Sequence, residues 1–270
     1  MVRDPHSPCA ADSKLTCSRL VDKCGLLLQS HGEALTPAQR PYARPDGEWQ
    51  GVDTKDLVAI IAAVKPHVLV GTSTKPKAFT ERAIREMARH VPRPIVLPLS
   101  NPTRLHEADP ADINAWTEGK ALIATGSPFP PVRWRGVEYV VAENNNAAVF
   151  PAIGLAAVLC RARLISDRML VAAVKALAAL SPALEDPNKG LLPDIARVRD
   201  VAKRVAAAVI RCAVAEGLAR LDRPIPTDSD DELLDWVAAQ MWDPVYRPLL
   251  PVAVEGASRA AKGELGVGRR

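Results

Sequence analysis

The chain has 270 residues, 48% hydrophobic, 24% charged and 4% aromatic, a composition that excludes wholesale disorder and leaves room for a sizeable core. Lys plus Arg number 35 against 31 Asp plus Glu, a formal net charge of +4 with no run of five basic residues, so a polybasic nucleic-acid binder is excluded. The longest apolar stretches, Leu57 to Val64 and Leu170 to Leu180, fall short of the ~20 residues of a spanning helix, so neither nucleic acid nor membrane is expected as a partner.

Residues 1–18 are polar and read as a disordered tail. They hold no hydrophobic signal core, and Asp4 and Asp12 disfavour a transit peptide. Leu20 to Leu28 reads as a strand end, the acid Asp22 and a glycine turn, and residues 29–53, rich in Pro, Gly and charge, as a loop. Leu57, Ile60, Ile61 and Val64 recur at helical spacing, and Lys65-Pro66 stops that helix. A short strand follows at His67 to Gly71. The spacing predicts a helix over Glu81 to His90, with Thr80 as N-cap and a Phe79–Ile84 hydrophobic staple. Strands are expected at Pro94 to Leu99 and Ala121 to Gly126, with a helix from Ala108 to Glu118 between them. Val132 to Val141 reads as a hairpin turning at Arg135-Gly136.

Alternating strands and helices at this spacing imply parallel strands with helical crossovers. Strands apolar throughout fit a sheet covered on both faces. Beyond Phe150 helices take over: Ala147 to Ala162, a second from the Ser166-Asp167 cap to Leu180, a third over Pro193 to Leu218, and a fourth led in by the acidic Thr227 to Glu232. Residues 251–270 read as a frayed tail.

Five cysteines, Cys9, Cys17, Cys24, Cys160 and Cys212, form no Cys-x-x-Cys pair, and His6, His31, His67, His90 and His106 are scattered. Reduced, solitary thiols are expected rather than a disulfide frame or a zinc site.

Ligands of open parallel sheets bind at the carboxyl ends of the strands. Asp22, at a strand end before glycine, suits an acid that accepts from adenosine ribose hydroxyls and repels a 2′-phosphate, favouring NAD over NADP; the plainer reading of the residue alone is a solvated turn. Gly71-Thr72-Ser73 and Ser100-Asn101-Pro102-Thr103 follow two further strands and point at a ligand crevice. The plainer reading of the second is a turn with Thr103 as a cap. Asn144, Asn145 and Asn146 precede an apolar helix; one serves as N-cap, and the others offer amide donors suited to a small dicarboxylate. A Gly-x-Gly-x-x-Gly turn is missing, the only Gly-x-Gly being Gly266 to Gly268.

Several segments then carry a resemblance. Leu35-Thr-Pro-Ala-Gln-Arg-Pro-Tyr-Ala-Arg44, Val70-Gly-Thr-Ser-Thr-Lys-Pro-Lys-Ala-Phe-Thr80 and Arg93-Pro-Ile-Val-Leu-Pro-Leu-Ser-Asn-Pro-Thr103 resemble the malic enzyme family, NAD-type branch. So do Trp116-Thr-Glu-Gly-Lys-Ala-Leu-Ile-Ala-Thr-Gly-Ser-Pro-Phe129 and Asn145-Asn-Ala-Ala-Val-Phe-Pro-Ala-Ile-Gly-Leu155, so that the likeness runs from about Leu20 to Leu250. The resemblance implies oxidation of L-malate by NAD, with NADP as the alternate, and decarboxylation to pyruvate aided by Mg²⁺ or Mn²⁺. It implies cofactor contacts at Asp22, Gly71, Thr72, Ser73 and Asn101, and malate contacts at Asn101, Asn145 and Asn146. The chain departs from the family with Glu143-Asn144, where Gln-Gly or Gln-Cys is usual.

The family's catalytic tyrosine and lysine, metal ligands and glycine fingerprint have no counterpart in these residues. The expectation is therefore the carboxyl-terminal half of a malic enzyme, inactive alone, and a homo-oligomer or an associate of full-length subunits. The alternatives are a non-catalytic paralogue that binds or regulates full-length enzyme, or another Rossmann dehydrogenase. The expected fold is α/β: a Rossmann-like, doubly wound, mostly parallel sheet lacking its first strand and phosphate loop, over residues 19–165. Helices over residues 166–250 pack on it. The expected compartment is the cytoplasm or the mitochondrial matrix.

Overall fold

The computed structural model describes residues 17–220, 224–243 and 245–246. The two tails expected from the sequence lie outside them, apart from residues 17 and 18.

Short apolar runs become the strands of one parallel sheet. β3 (Val68–Gly71), β4 (Ile95–Pro98), β5 (Leu122–Thr125) and β8 (Ala142–Glu143) lie side by side in that order. The register pairs Leu69 with Val96 and Val96 with Ile123, so these side chains form one row across the sheet. That row meets three helices, α1 (Leu57–Val64), α2 (Glu81–His90) and α3 (Pro110–Trp116), in a core with Ile61, Ile84, Met87 and Ile113 at its centre. The opposite row is less covered. Ile95, Leu97 and Leu122 are half-buried, and Val70 on the outer strand is 52% exposed. The sequence predicts a sheet covered on both faces, and the cover of this second face is partial; an apolar run records only that a strand is uncharged, not what packs on it.

The helix ends follow local chemistry. Asp56 accepts from the amide of Val58, Thr80 from Ala83 and Asp109 from Ala111, each satisfying an amide at a helix start. Phe79 and Ile84 are both buried, as a staple requires. Lys65 ends α1 in the left-handed region at φ 49°, with Pro66 beyond it.

Two antiparallel hairpins stand beside the sheet. β1 (Val21–Asp22) and β2 (Gly25–Leu26) form the first, and its Leu26 packs with Leu28, Trp49 and Ile60. Gly25 sits at φ 92°, where a Cβ would lie 2.3 Å from the Thr54 carbonyl oxygen. β6 (Val132–Trp134) and β7 (Val137–Tyr139) form the second, turning at Arg135 and Gly136, both at positive φ, as a two-residue I′ loop requires.

The second core is helical. α6 (Val198–Ala215) runs through its middle, against α4 (Phe150–Leu159), α5 (Asp167–Ala178) and α7 (Asp230–Gln240). Val201, Val205 and Val209 line its buried side with Ile210, and Ala202, Ala206 and Ala213 let neighbouring helices approach closely. Met169 and Ala173 of α5, Ala152 and Ala156 of α4, and Leu233 and Val237 of α7 complete the packing. Ser166 and Ser229 cap α5 and α7. Among the described residues no helix is long and apolar enough to cross a membrane.

Ile210→Ala should lower stability by about 2–5 kcal/mol, since the methyl and ethyl groups it removes leave a void in a filled core. Val174→Ala, at a position 62% exposed, should change it by less than about 0.5 kcal/mol. Urea titrations of both variants check this pair of values.

Candidate functional site

The carboxyl ends of the four parallel strands lie in a row, and each continues into a loop of small polar residues. After β3 comes Thr72-Ser73-Thr74, after β4 Leu99-Ser100-Asn101, after β5 Gly126-Ser127, and after β8 the three asparagines. Strand order and parallel direction alone make these loops neighbours.

The residue that joins the first two loops is Glu107, which sequence reasoning missed. Its side chain is fully buried, with 0% exposure. One carboxylate oxygen accepts from the Ser73 amide at 2.8 Å, the Ser73 hydroxyl at 2.9 Å and the Ser100 hydroxyl at 2.5 Å. The other accepts from the Ser100 amide at 3.4 Å. The Ser100 hydroxyl in turn accepts from the Thr74 amide at 2.9 Å. Gly71 makes this possible: a Cβ there would sit 2.5 Å from the Glu107 carboxyl carbon. Burial by itself would raise the Glu107 pKa, but the hydrogen bonds from Ser100 and Ser73 outweigh it and hold the carboxyl below its usual range. A buried carboxylate with this many donors is ionised and fixes whatever donates to it.

The next link is Asn101. Ser127 Oγ donates to Asn101 Oδ1, which leaves the amide nitrogen as a donor beside Gly126. Gly126 admits no side chain, because a Cβ would lie 2.2 Å from the Leu99 carbonyl oxygen. The Asn101–Pro102 peptide is cis. The plainer alternative, Thr103 as a helix cap, is not what forms: Pro102 occupies the cap position of the short 3-10 turn Thr103–Leu105, with no side-chain cap bond.

At the far end of the row, the Asn144 amide donates to the Thr125 carbonyl at 2.7 Å and anchors the asparagine run to β5. Asn145 Oδ1 accepts from the Ala147 amide at 3.0 Å and so caps a short 3-10 turn, while its amide nitrogen donates to Glu143. Asn146 is exposed, and its side chain makes no hydrogen bond to the described residues. The departure Glu143-Asn144 thus has a local use, since Glu143 orients Asn145.

The structure brings Gly71, Thr72, Ser73 and Asn101 together and sets Asn145 and Asn146 in the same row. Asp22 stands apart from that row, in the β1–β2 hairpin rather than in the parallel sheet. It is exposed and accepts from the Gln39 amide nitrogen and the Lys23 amide, each at 2.7 Å. Glu107 carried no signal in the sequence, since Arg104, Asp109 and Asp112 surround it with charge and its partners Ser73 and Ser100 lie 34 and 7 residues away.

Among the described residues no three His, Cys, Asp or Glu side chains are grouped to hold a metal ion. The row of loops opens where ligands of open parallel sheets bind. It offers the exposed Thr72 and the free amide nitrogen of Asn101 at the mouth of the strand ends.

Comparison with known proteins agrees with this architecture. The family model described as malic enzyme, NAD binding domain, matches residues 2–214. The mitochondrial NAD-dependent malic enzyme of Saccharomyces cerevisiae is 50% identical over 246 residues, covering 86% of this chain and 36% of the yeast protein. The NAD-dependent malic enzyme of Schizosaccharomyces pombe is 44% identical over 233 residues, 86% of this chain and 41% of its own. Among solved structures, the malic enzyme of Entamoeba histolytica superposes with a TM-score of 0.60 at 21% identity, over 90% of this chain and 43% of that one. The Pyrococcus horikoshii malic enzyme gives 0.55 at 25% identity, over 79% and 42%. The chain spans about two fifths of the length of the relatives it matches.

Glu107→Gln should cost about 1–3 kcal/mol at neutral pH, because an amide offers one acceptor oxygen to donors that now share two. The folded pKa of Glu107 is depressed, so its contribution is complete above the unfolded value of about 4.3 and is lost as pH falls through the folded value. The gap between wild type and variant should therefore shrink steadily below about pH 4.3. Denaturation midpoints taken from pH 7 to pH 3 test the trend, and a constant gap would contradict it.

Proposed function

The chain belongs to the malic enzyme family, whose NAD-binding domain it matches, and on that premise we propose that it forms the cofactor-binding part of an enzyme converting L-malate to pyruvate and CO₂. The observation that carries this reading is the loop pair at the ends of β3 and β4, fixed by Glu107, with the Asn101 amide nitrogen left free to donate. Supporting it are the exposed asparagines at the end of β8, neutral donors suited to a substrate with two carboxylates.

In this reading Gly71, Thr72 and Ser73 lie along the nicotinamide half of NAD. Asn101 donates to the substrate or the carboxamide, and Asn145 and Asn146 face malate. Asp22 takes the adenosine ribose hydroxyls in place of Gln39 and disfavours the 2′-phosphate of NADP. NAD, when bound, accepts the hydride from C2 of malate. The protein's part is to hold C2 and the nicotinamide in register and to keep the loop pair from moving as charge develops. Mg²⁺ or Mn²⁺ belongs to the reaction by family resemblance, and no step is assigned to it from these residues. Residues 1–270 by themselves are proposed to be inactive. The working protein is proposed to be a homo-oligomer or to include full-length subunits, in the cytoplasm or the mitochondrial matrix.

Two assays test this. The purified 270-residue chain should release no NADH from NAD, malate and Mn²⁺, and measurable turnover would contradict the assignment. In the protein isolated intact from its source, malate-dependent NADH formation should be present, and Asn101→Ala should lower kcat/KM for malate about 10- to 100-fold, the value of one hydrogen bond to a charged group. No malate oxidation by the intact protein would overturn the reading.

A further inference from the structure

The loop after β5 stands between the loops that carry Asn101 and Asn146, and its residues bond to both sides. Thr125, the last residue of β5, is fully buried, and its carbonyl and hydroxyl point to different partners. The carbonyl accepts from the Asn144 amide at 2.7 Å, at the start of the asparagine run. The hydroxyl donates to the Ser127 carbonyl at 2.8 Å and so fixes the turn two residues on. Gly126 lies between them, pressed so closely on the β4 loop that a Cβ would meet the Leu99 carbonyl oxygen at 2.2 Å and the Asn101 amide nitrogen at 3.0 Å. Pro128 disfavours the helical region for Ser127, which stops the turn from winding on. Carried on this turn, the Ser127 hydroxyl donates to Asn101 Oδ1.

The two ends of an asparagine amide have opposite chemistry. Nδ2 donates to a carboxylate, whereas Oδ1 offers it only lone pairs. Asn101 is exposed, so packing does not choose which end faces a ligand. The bond from Ser127 does: a proton given to Oδ1 leaves Nδ2 as the free end. Glu107 has a separate task, because it bonds to Ser73 and Ser100 and fixes the path of the loop, not the Asn101 side chain. Through Ser127 and Thr125, Asn101 is also tied to the start of the asparagine run.

We propose that Ser127 is a positioning residue that acts through Asn101: it holds the amide with its nitrogen toward the substrate and at a set distance from Asn146. The identity of that substrate rests on the malate reading; the order that Ser127 imposes on Asn101 does not.

Two measurements test this. In the ¹⁵N-labelled 270-residue chain, the Asn101 side-chain amide should be as ordered as rigid backbone, with an order parameter of about 0.85. In Ser127→Ala it should fall below about 0.6 while the β5 amides stay unchanged. An equally ordered Asn101 amide in the variant would overturn the proposal. In the protein isolated intact, Ser127→Ala should lower kcat/KM for malate about five- to tenfold, the value of one hydrogen bond. Introduced where Asn101 is already Ala, the same change should cost less than about twofold, because its only route to the substrate is gone. An equal loss in both backgrounds would mean that Ser127 supports the fold at large, and would overturn the proposal. If the intact wild type oxidises no malate, the malate reading falls, and the Asn101 order parameter alone decides the role of Ser127.

Discussion

The buried carboxylate of Glu107 is the constraint on which the strand-end region depends. An ionised side chain with no exposed surface must be compensated by donors, and here the donors come from two loops, those that follow β3 and β4. Ser73 supplies its amide and its hydroxyl, Ser100 its hydroxyl, and Thr74 bonds to Ser100 in turn. The cost of leaving any of these unpaired in a site shut off from water keeps the loops at a fixed separation. Gly71 and Gly126 belong to the same arrangement: the first yields its side-chain space to the carboxyl, the second to the Leu99 carbonyl and the Asn101 amide. The atoms that would meet a side chain at either glycine are the protein's own.

Two cores carry this arrangement. One lies between the sheet row Leu69–Val96–Ile123 and helices α1 to α3; the other is built around α6. The asparagine run lies between β8 and α4, so it joins the sheet to the helical core. Asn144 fixes its start to β5, and the 3-10 turn capped by Asn145 leads into α4.

The sequence was most informative where structure is local. Thr80 and Ser166 cap the helices they were expected to cap, and Arg135-Gly136 turns the expected hairpin, because each depends on residues within a few positions. The order of strands and helices followed from apolar runs and their spacing, and the family from several motifs in sequence. Glu107 was not legible, because its meaning rests on Ser73 and Ser100 arriving beside it through the sheet. The surroundings of Asp22 were not legible either. Strand-end acid and hairpin acid look alike in one dimension, and only the pairing of Val21 with Leu26 separates them. The unequal cover of the sheet faces was hidden for the same reason: Val70 reads as apolar whether or not anything packs on it.

The most direct measurement of this account is amide hydrogen exchange at Ser73 and Thr74. Both lie in a loop outside any strand, where amides ordinarily exchange within open-loop times. If Glu107 holds the loop pair, these two amides are protected to the level of β4, and the protection disappears in Glu107→Gln. Open-loop exchange at Ser73 and Thr74 in the wild-type chain, with β4 still protected, would contradict the claim that the buried carboxylate organises the site.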